Sequence, residues 1–221
     1  MDAAFSRYFD NISIYDVFNF PDTFTKIPTT DSQTFLPNQF KRSARPGYQP
    51  SVINHLTYTQ TFERLINSKM QKLKLPKNFN CIHIRRGDKV GEAAYLISGL
   101  TGGAESKRHE VEDYIQKCNL STKSTFIMTD DYQSINEVKQ YLQQNNLDHK
   151  LYYITTEQQI GHCSITENNT GKSYTIQELV DLFTEIEIAK QSQQFIGTES
   201  SNIYRYIKNQ CVNNTEFISL D

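Results

Sequence analysis

The stretch Phe79-Asn80-Cys81-Ile82-His83-Ile84-Arg85-Arg86-Gly87-Asp88-Lys89 decides the fold. Its first half, Phe79 to Ile84, is a short run of strand formers behind Pro76 and Asn78. Its second half crowds Arg85, Arg86, Asp88 and Lys89 around Gly87. A buried strand ending in paired arginines fixes positive charge at the carboxyl edge of a sheet. In open α/β sheets that edge is where ligands bind. The planar guanidinium fork suits a pair of phosphate oxygens. We read these residues as the diphosphate end of a nucleotide-sugar site.

Outward from this strand, the pattern alternates. Upstream, Val52, Leu56, Phe62, Leu65, Ile66 and Leu73 keep an approximate 3.6 period and predict a helix over 52–73, stopped by Pro76. Downstream, a Gly-rich loop, Gly99 to Gly103, precedes a helix bearing Val111, Tyr114, Ile115 and Cys118. Ser124 to Met128 reads as a second buried strand, followed by a helix marked by Ile135, Val138 and Leu142. Leu151 to Ile154 is a third strand. Thr175 and Glu178 form a capping box for a long helix carrying Ile176, Leu179, Val180, Phe183 and Ile186. Gln194 to Thr198 is a strand, Ser201 to Asn209 a helix, and Glu216 to Leu220 a last strand. Strands alternating with helices predict βαβ units: an α/β, Rossmann-like, mainly parallel sheet flanked by helices. Residues 1–50, broken by five prolines, are expected to be an irregular extension with one short helix or strand near Ser13 to Phe20. Residues 51–221 are then the Rossmann-like domain.

Three of these strands end in polar clusters: Arg85 to Lys89, Thr129-Asp130-Asp131, and Thr198-Glu199-Ser200-Ser201. The carboxyl ends of parallel strands share one edge, so the clusters should meet in space. Asp130 or Asp131 can equally cap the following helix. Ser200 or Ser201 can cap a helix whose free N–H groups also suit a phosphate. His83 lies inside a strand, where a lone histidine is more often a core residue than a ligand; its spacing from Arg85 puts both on one face. Arg86-Gly87-Asp88 spells an adhesion tripeptide, but at the end of a buried strand. Gly171-Lys172-Ser173 lacks the first glycine of a P-loop, since Thr166 stands there.

The totals agree with an ordinary folded domain. At 221 residues the default is one domain with an extension, and 37% hydrophobic residues with 13 Phe and 13 Tyr can build a core. A net charge of -2 argues against a general nucleic-acid binder. The charge is uneven: between Lys41 and Lys77 there are eight Lys or Arg against one acid, Glu63. Four spread cysteines, Cys81, Cys118, Cys163 and Cys211, fit free thiols better than zinc or a disulfide scaffold. No basic stretch followed by an apolar run opens the chain, and no window approaches the ~18 apolar residues of a membrane span. The expectation is a soluble, cytoplasmic protein without membrane partners.

The run His83-Ile84-Arg85-Arg86-Gly87-Asp88-Lys89-Val90-Gly91-Glu92-Ala93-Ala94-Tyr95 resembles the H-x-R-R-x-D-K-V-G-x-E-A-A-F signature of the α1,6-fucosyltransferases. A shorter H-x-R-x-D form is shared with α1,2- and protein O-fucosyltransferases. Thr129-Asp130-Asp131 is similar to that family's A-T-D-D, and Thr166-Glu167-Asn168 to its T-E-N-S. Thr198 to Ser201 resembles T-F-S-S-Q, and Phe217 to Asp221 resembles F-H-S-L-D. The matches run in the same order and span roughly residues 50 to 221.

The resemblance implies the donor-binding, C-terminal half of a GT-B glycosyltransferase. Such an enzyme moves fucose from GDP-fucose to a glycan hydroxyl, inverting the anomeric centre without a metal or other cofactor. By family position Arg85 is the diphosphate arginine, aided by the Ser201 region, and Arg86, Ser200, Ser201 and Asn202 count among the substrate-binding residues. Lys89 and Glu92 would relay the proton of the acceptor hydroxyl, Glu92 as base. His83 and Glu185 would contact guanine, while Asp88, Asp130 and Asp131 would order the site. The chain departs from the pattern at Glu185, where the family has Asp, and at Asn202, where it has Gln. The loop before Glu92 is one residue shorter, and roughly Ile97 to Arg108 has no counterpart in the family. Two rivals stand beside this reading: a non-catalytic module for GDP or a GDP-sugar, completed by a partner chain that supplies the acceptor site, and a transferase using another nucleotide sugar.

Overall fold

The computed structural model describes residues 17–19, 57–86, 109–161 and 175–221. Contacts divide the chain into two compact units, one of residues 1–72 and 170–184, the other of residues 73–169 and 185–221.

In the first unit, β1 (Phe18–Asn19) pairs antiparallel with β2 (Thr57–Tyr58), and α1 (Gln60–Leu73) follows at once. The helix therefore begins eight residues later than its period predicts, and residues 51–56 lie outside the described residues. The reason is Thr59: its hydroxyl accepts from the Phe62 amide at 3.4 Å, while its own amide donates to the Val17 carbonyl at 2.9 Å. Tyr58 is thereby committed to an extended pairing no helical periodicity can reveal. Val17, Phe62, Ile66, Leu179 and Val180 form this unit's core. Phe18, Tyr58, Phe62 and Phe183 close over it, with ring centroids 5.4 to 5.8 Å apart in edge and stacked arrangements. Leu65, placed on the apolar stripe by the sequence, is instead 44% exposed.

The second unit is built on a five-stranded sheet in the order β5-β4-β3-β6-β7, every pair parallel. Its strands are β3 (Asn80–Ile84), β4 (Ser124–Thr129), β5 (Lys150–Tyr153), β6 (Gln194–Gly197) and β7 (Glu216–Ser219). Between them run α2 (Val111–Lys117), α3 (Tyr132–Gln144), α4 (Ile176–Ala189), which crosses the unit boundary, and α5 (Asn202–Gln210). β3 and β4 are buried at every position, because interior parallel strands are covered on both faces. Residues level with one another share a face. Ile82, Ile127 and Ile196 go to the side covered by Tyr114, Ile115, Ile135 and Val138 of α2 and α3. Cys81, Phe126, Phe195 and Phe217 go to the other side, with His83 and Met128. There Phe195 stacks between His83, at 6.3 Å, and Tyr204 of α5, at 5.3 Å.

The strand order carries the functional consequence. From β3 the chain winds outward through β4 to β5, then returns to the other side of β3 and winds outward through β6 to β7. β3 and β6 therefore flank the point where winding reverses, and a doubly wound sheet binds ligands outside the carboxyl ends of those two strands. The α/β, Rossmann-like expectation is met. The helix at Thr175 also starts as read: the Thr175 amide donates to Glu178 Oε2 at 2.7 Å, and the Glu178 amide to Thr175 Oγ1 at 3.2 Å.

Gly197, the last residue of β6, has no room for a side chain. A Cβ there would lie 2.9 Å from Tyr204 Cδ2 and 3.4 Å from His83 Cβ. Gly197→Ala should push the Tyr204 ring off Phe195 and destabilise the protein by about 1–3 kcal/mol, read from urea unfolding. Unchanged stability would show that the stack yields without strain.

Candidate functional site

Two polar arms meet at the β3–β6 switch point. The first follows β3 and β4. Arg85, one residue past β3, forms an ion pair through Nη1 with Asp130, one residue past β4. Their side chains are 17% and 20% exposed, so the pair lies at the sheet edge, neither enclosed nor fully in water. The other carboxylate oxygen of Asp130 accepts the Arg86 amide at 3.0 Å. One carboxylate thus fixes both the guanidinium of Arg85 and the backbone leaving the strand. Asp131 acts locally, its Oδ1 accepting the Gln133 amide at 3.0 Å and capping α3.

Arg86 does not sit at the edge. It is 4% exposed and turns inward, donating through Nη1 to the His109 carbonyl at 2.9 Å, with Glu137 Oε2 3.6 Å from Nη2. Side-chain alternation explains the difference. Arg86 continues the parity of Ile82 and Ile84, whose face is covered by α2 and α3, whereas Arg85 continues the parity of Cys81 and His83. The twin arginines are therefore a half-buried cation at the sheet edge and an interior one.

The second arm follows β6. Ile82 is level with Ile196, so the Thr198–Ser201 turn follows β6 at the same sheet edge at which Arg85 follows β3. The Thr198–Ser201 turn is held from several directions. Arg205 Nη1 donates to the carbonyls of Glu199 and Ser200, both at 2.9 Å, and Nη2 to Asn202 Oδ1 at 2.6 Å. The Glu199 amide donates to Ser219 Oγ at 2.9 Å, and the Ser200 amide to Asp221 Oδ2 at 2.8 Å. The Ser201 amide is taken by the Thr198 carbonyl at 3.0 Å, and its buried hydroxyl does not cap α5. The amides of Asn202, Ile203 and Tyr204 in the first turn of α5 have no carbonyl four residues back to bond within the helix, which makes this end electropositive. Arg205 adds a full positive charge beside it.

His83 and Glu185 belong to the face that carries the aromatic stack. His83 is 3% exposed, and burial, helped by the Arg85 charge, pushes its pKa down to about 3, so the ring is neutral. Its Nδ1 makes no hydrogen bond. Glu185 is buried on α4 near Cys81, whose thiol pKa is raised first by burial and then by that carboxylate. Both residues thus sit behind β3, deeper than the edge that presents Arg85. Asp88, Lys89 and Glu92 lie outside the described residues. Among the described residues no group of three or more His, Cys, Asp or Glu side chains is placed to hold a metal ion. Sequence reading missed four participants: Glu137, His109, Arg205 and Asp221. Asp221 closes a matched motif, the parity of Arg86 pointed inward towards His109 and Glu137, and no sequence signal marked Arg205.

No protein-family model matches the sequence, and no curated protein matches it. The fold has neighbours among solved structures. POFUT1 in complex with GDP is 16% identical, with a TM-score of 0.48, over 77% of this chain and 49% of that one. The fucosyltransferase NodZ from Bradyrhizobium is 12% identical, with a TM-score of 0.40, over 77% of this chain and 47% of that one. NodZ α1,6-fucosyltransferase soaked with GDP-fucose is 12% identical, with a TM-score of 0.38, over 86% and 65%. The chain spans about half the length of the first two.

The neutral, buried His83 makes stability depend on acid. Between its pKa of about 3 in the folded chain and 6.5 unfolded, the unfolded state binds the extra proton, so stability falls as pH drops through that window. The slope from one such group approaches ~1.4 kcal/mol per pH unit. His83→Gln should flatten the fall in urea-unfolding free energy between pH 6.5 and 4, whereas an unchanged profile would mean the ring charges in place.

Proposed function

We propose that this chain binds a nucleotide sugar by its diphosphate at the β3–β6 switch point and transfers the sugar to a glycan hydroxyl. GDP-fucose is the donor that the sequence resemblance names. The observation that carries the reading is the pairing of a guanidinium on one arm with an electropositive helix end on the other, at the edge where a doubly wound sheet places its ligand.

The chemistry follows from charge. As the glycosidic bond of the donor breaks, negative charge gathers on the β-phosphate, and fixed positive groups stabilise that state more than the bound donor. Arg85 supplies the guanidinium, the first turn of α5 supplies backbone N–H donors, and Asp130 holds Arg85 so that little reorganisation is needed. Lys89 and Glu92 carry the proton of the attacking hydroxyl, with Glu92 as base, and attack opposite the leaving diphosphate inverts the anomeric centre. In this scheme the cationic side chains carry the charge and no divalent ion is required. Arg86 acts from the interior, and His83 and Glu185 are the residues the sequence resemblance assigns to guanine.

One observation favours a second reading. Asp130 beside Arg85 offsets part of the field a departing diphosphate would draw on, and leaves directed hydrogen bonds that serve binding alone. The chain would then be a GDP-sugar module without turnover.

Calorimetry with GDP and GDP-fucose tests the proposal. The wild-type chain should bind both, and Arg85→Ala should weaken binding by about ten- to a hundredfold, the range for losing a charge-assisted contact. With GDP-fucose and acceptor glycans, Glu92→Gln should abolish turnover and leave donor affinity intact. Absence of GDP binding, or equal binding by Arg85→Ala, would sink the reading. Donor binding without turnover across a broad acceptor panel would select the module, and tighter binding of UDP-sugars would remove fucose.

A further inference from the structure

His109 touches both arms of the site. Its carbonyl accepts Arg86 Nη1 at 2.9 Å, and the Arg86 amide in turn donates to Asp130, the partner of Arg85. On the other side its Nε2 faces Asp221 Oδ1 at 3.6 Å, and Asp221 Oδ2 accepts the Ser200 amide at 2.8 Å. The groups around the ring are Asp113 of α2, 3.8 Å from Nδ1, Asp221, and the Tyr114 ring, edge-on at 6.2 Å. The Arg86 guanidinium lies at the His109 carbonyl, and its own second neighbour is Glu137. The ring is 7% exposed, and Nε2 makes no hydrogen bond. A polar nitrogen that well buried is normally satisfied. Here it is left facing a carboxylate that is already committed to the Ser200 backbone.

We propose that His109 is a positioning residue that couples the Arg85 arm to the Ser200 arm and sets their separation to fit a diphosphate. The inference rests on the nucleotide-sugar reading of the site. Removing the ring frees Asp221 to swing, which releases the Ser200 amide and the entrance to α5. It also opens space beside the Arg86 carbonyl contact, and so loosens Asp130. The ring itself touches neither Arg85 nor the first turn of α5, so it acts through others.

The test compares wild type, His109→Ala, His109→Gln and Asp221→Asn by GDP calorimetry, amide hydrogen exchange and thermal unfolding. A glutamine amide nitrogen reaches the position of imidazole Nε2 and keeps a donor towards Asp221. His109→Ala should weaken GDP binding about tenfold, and His109→Gln should recover to within about threefold of wild type. Exchange in His109→Ala should quicken at residues 85–86 and 199–203 and stay unchanged in β4 and β5. Asp221→Asn should quicken exchange at 199–203 alone. Wild-type GDP affinity in His109→Ala overturns the proposal, as does exchange rising equally across β4 and β5, or a glutamine variant no better than alanine. If the wild-type chain binds no GDP, the nucleotide-sugar reading fails, and the exchange pattern alone then decides whether His109 couples the two arms.

Discussion

The parallel pairing of β3 with β4 on one side and β6 on the other is the constraint from which the rest follows. Cys81 and Ile82 are held in register with Phe126 and Ile127 on the first side and with Phe195 and Ile196 on the second. That register places Arg85, Asp130 and the Thr198–Ser201 turn along one edge. Hydrophobic burial along β3 makes the register rigid, since a one-residue slip would drive Ile82 and Ile84 to the opposite face. The chemistry at the edge is therefore positioned by an apolar core several residues beneath it.

Charge at this edge is balanced more closely than twin arginines imply. Asp130 answers Arg85, and Glu137 lies near Arg86. At the edge the attraction between unit charges 4 Å apart is about 4 kcal/mol in a partly screened setting, and less where water intervenes. A carboxylate in that position lowers the field reaching a ligand but also fixes the geometry of the guanidinium. Arginine tolerates this better than lysine, because its planar fork keeps a direction once one nitrogen is anchored. The interior contacts serve a different end: Arg86 ties the end of β3 to His109 ahead of α2, and Asp221 ties the chain after β7 to Ser200 ahead of α5.

Much of this was readable in advance. The sheet strands were legible because short buried runs bounded by turn residues have few alternatives, and the capping box at Thr175 because its bonds are local. Two features were not. The start of α1 depends on Tyr58 pairing with Phe18, a contact across 40 residues that leaves no periodic trace. The roles of His109 and Asp221 depend on side chains brought together only after the sheet forms. Arg86 is the instructive middle case. Adjacent to Arg85 in sequence, it looked like a second edge cation, yet strict alternation from Ile82 and Ile84 sends it to the interior. Parity along the strand, carried one residue past its end, held the answer.

The position of a bound diphosphate decides the role of this edge, and a crystal structure of the chain soaked with GDP measures it directly. The expected result is a β-phosphate between the Arg85 guanidinium and the first-turn amides of α5, with Asp130 still holding Arg85 and Arg86 still turned inward. Nucleotide bound away from the β3–β6 edge, or a complex in which Arg85 stays paired with Asp130 and touches no phosphate oxygen, would contradict it.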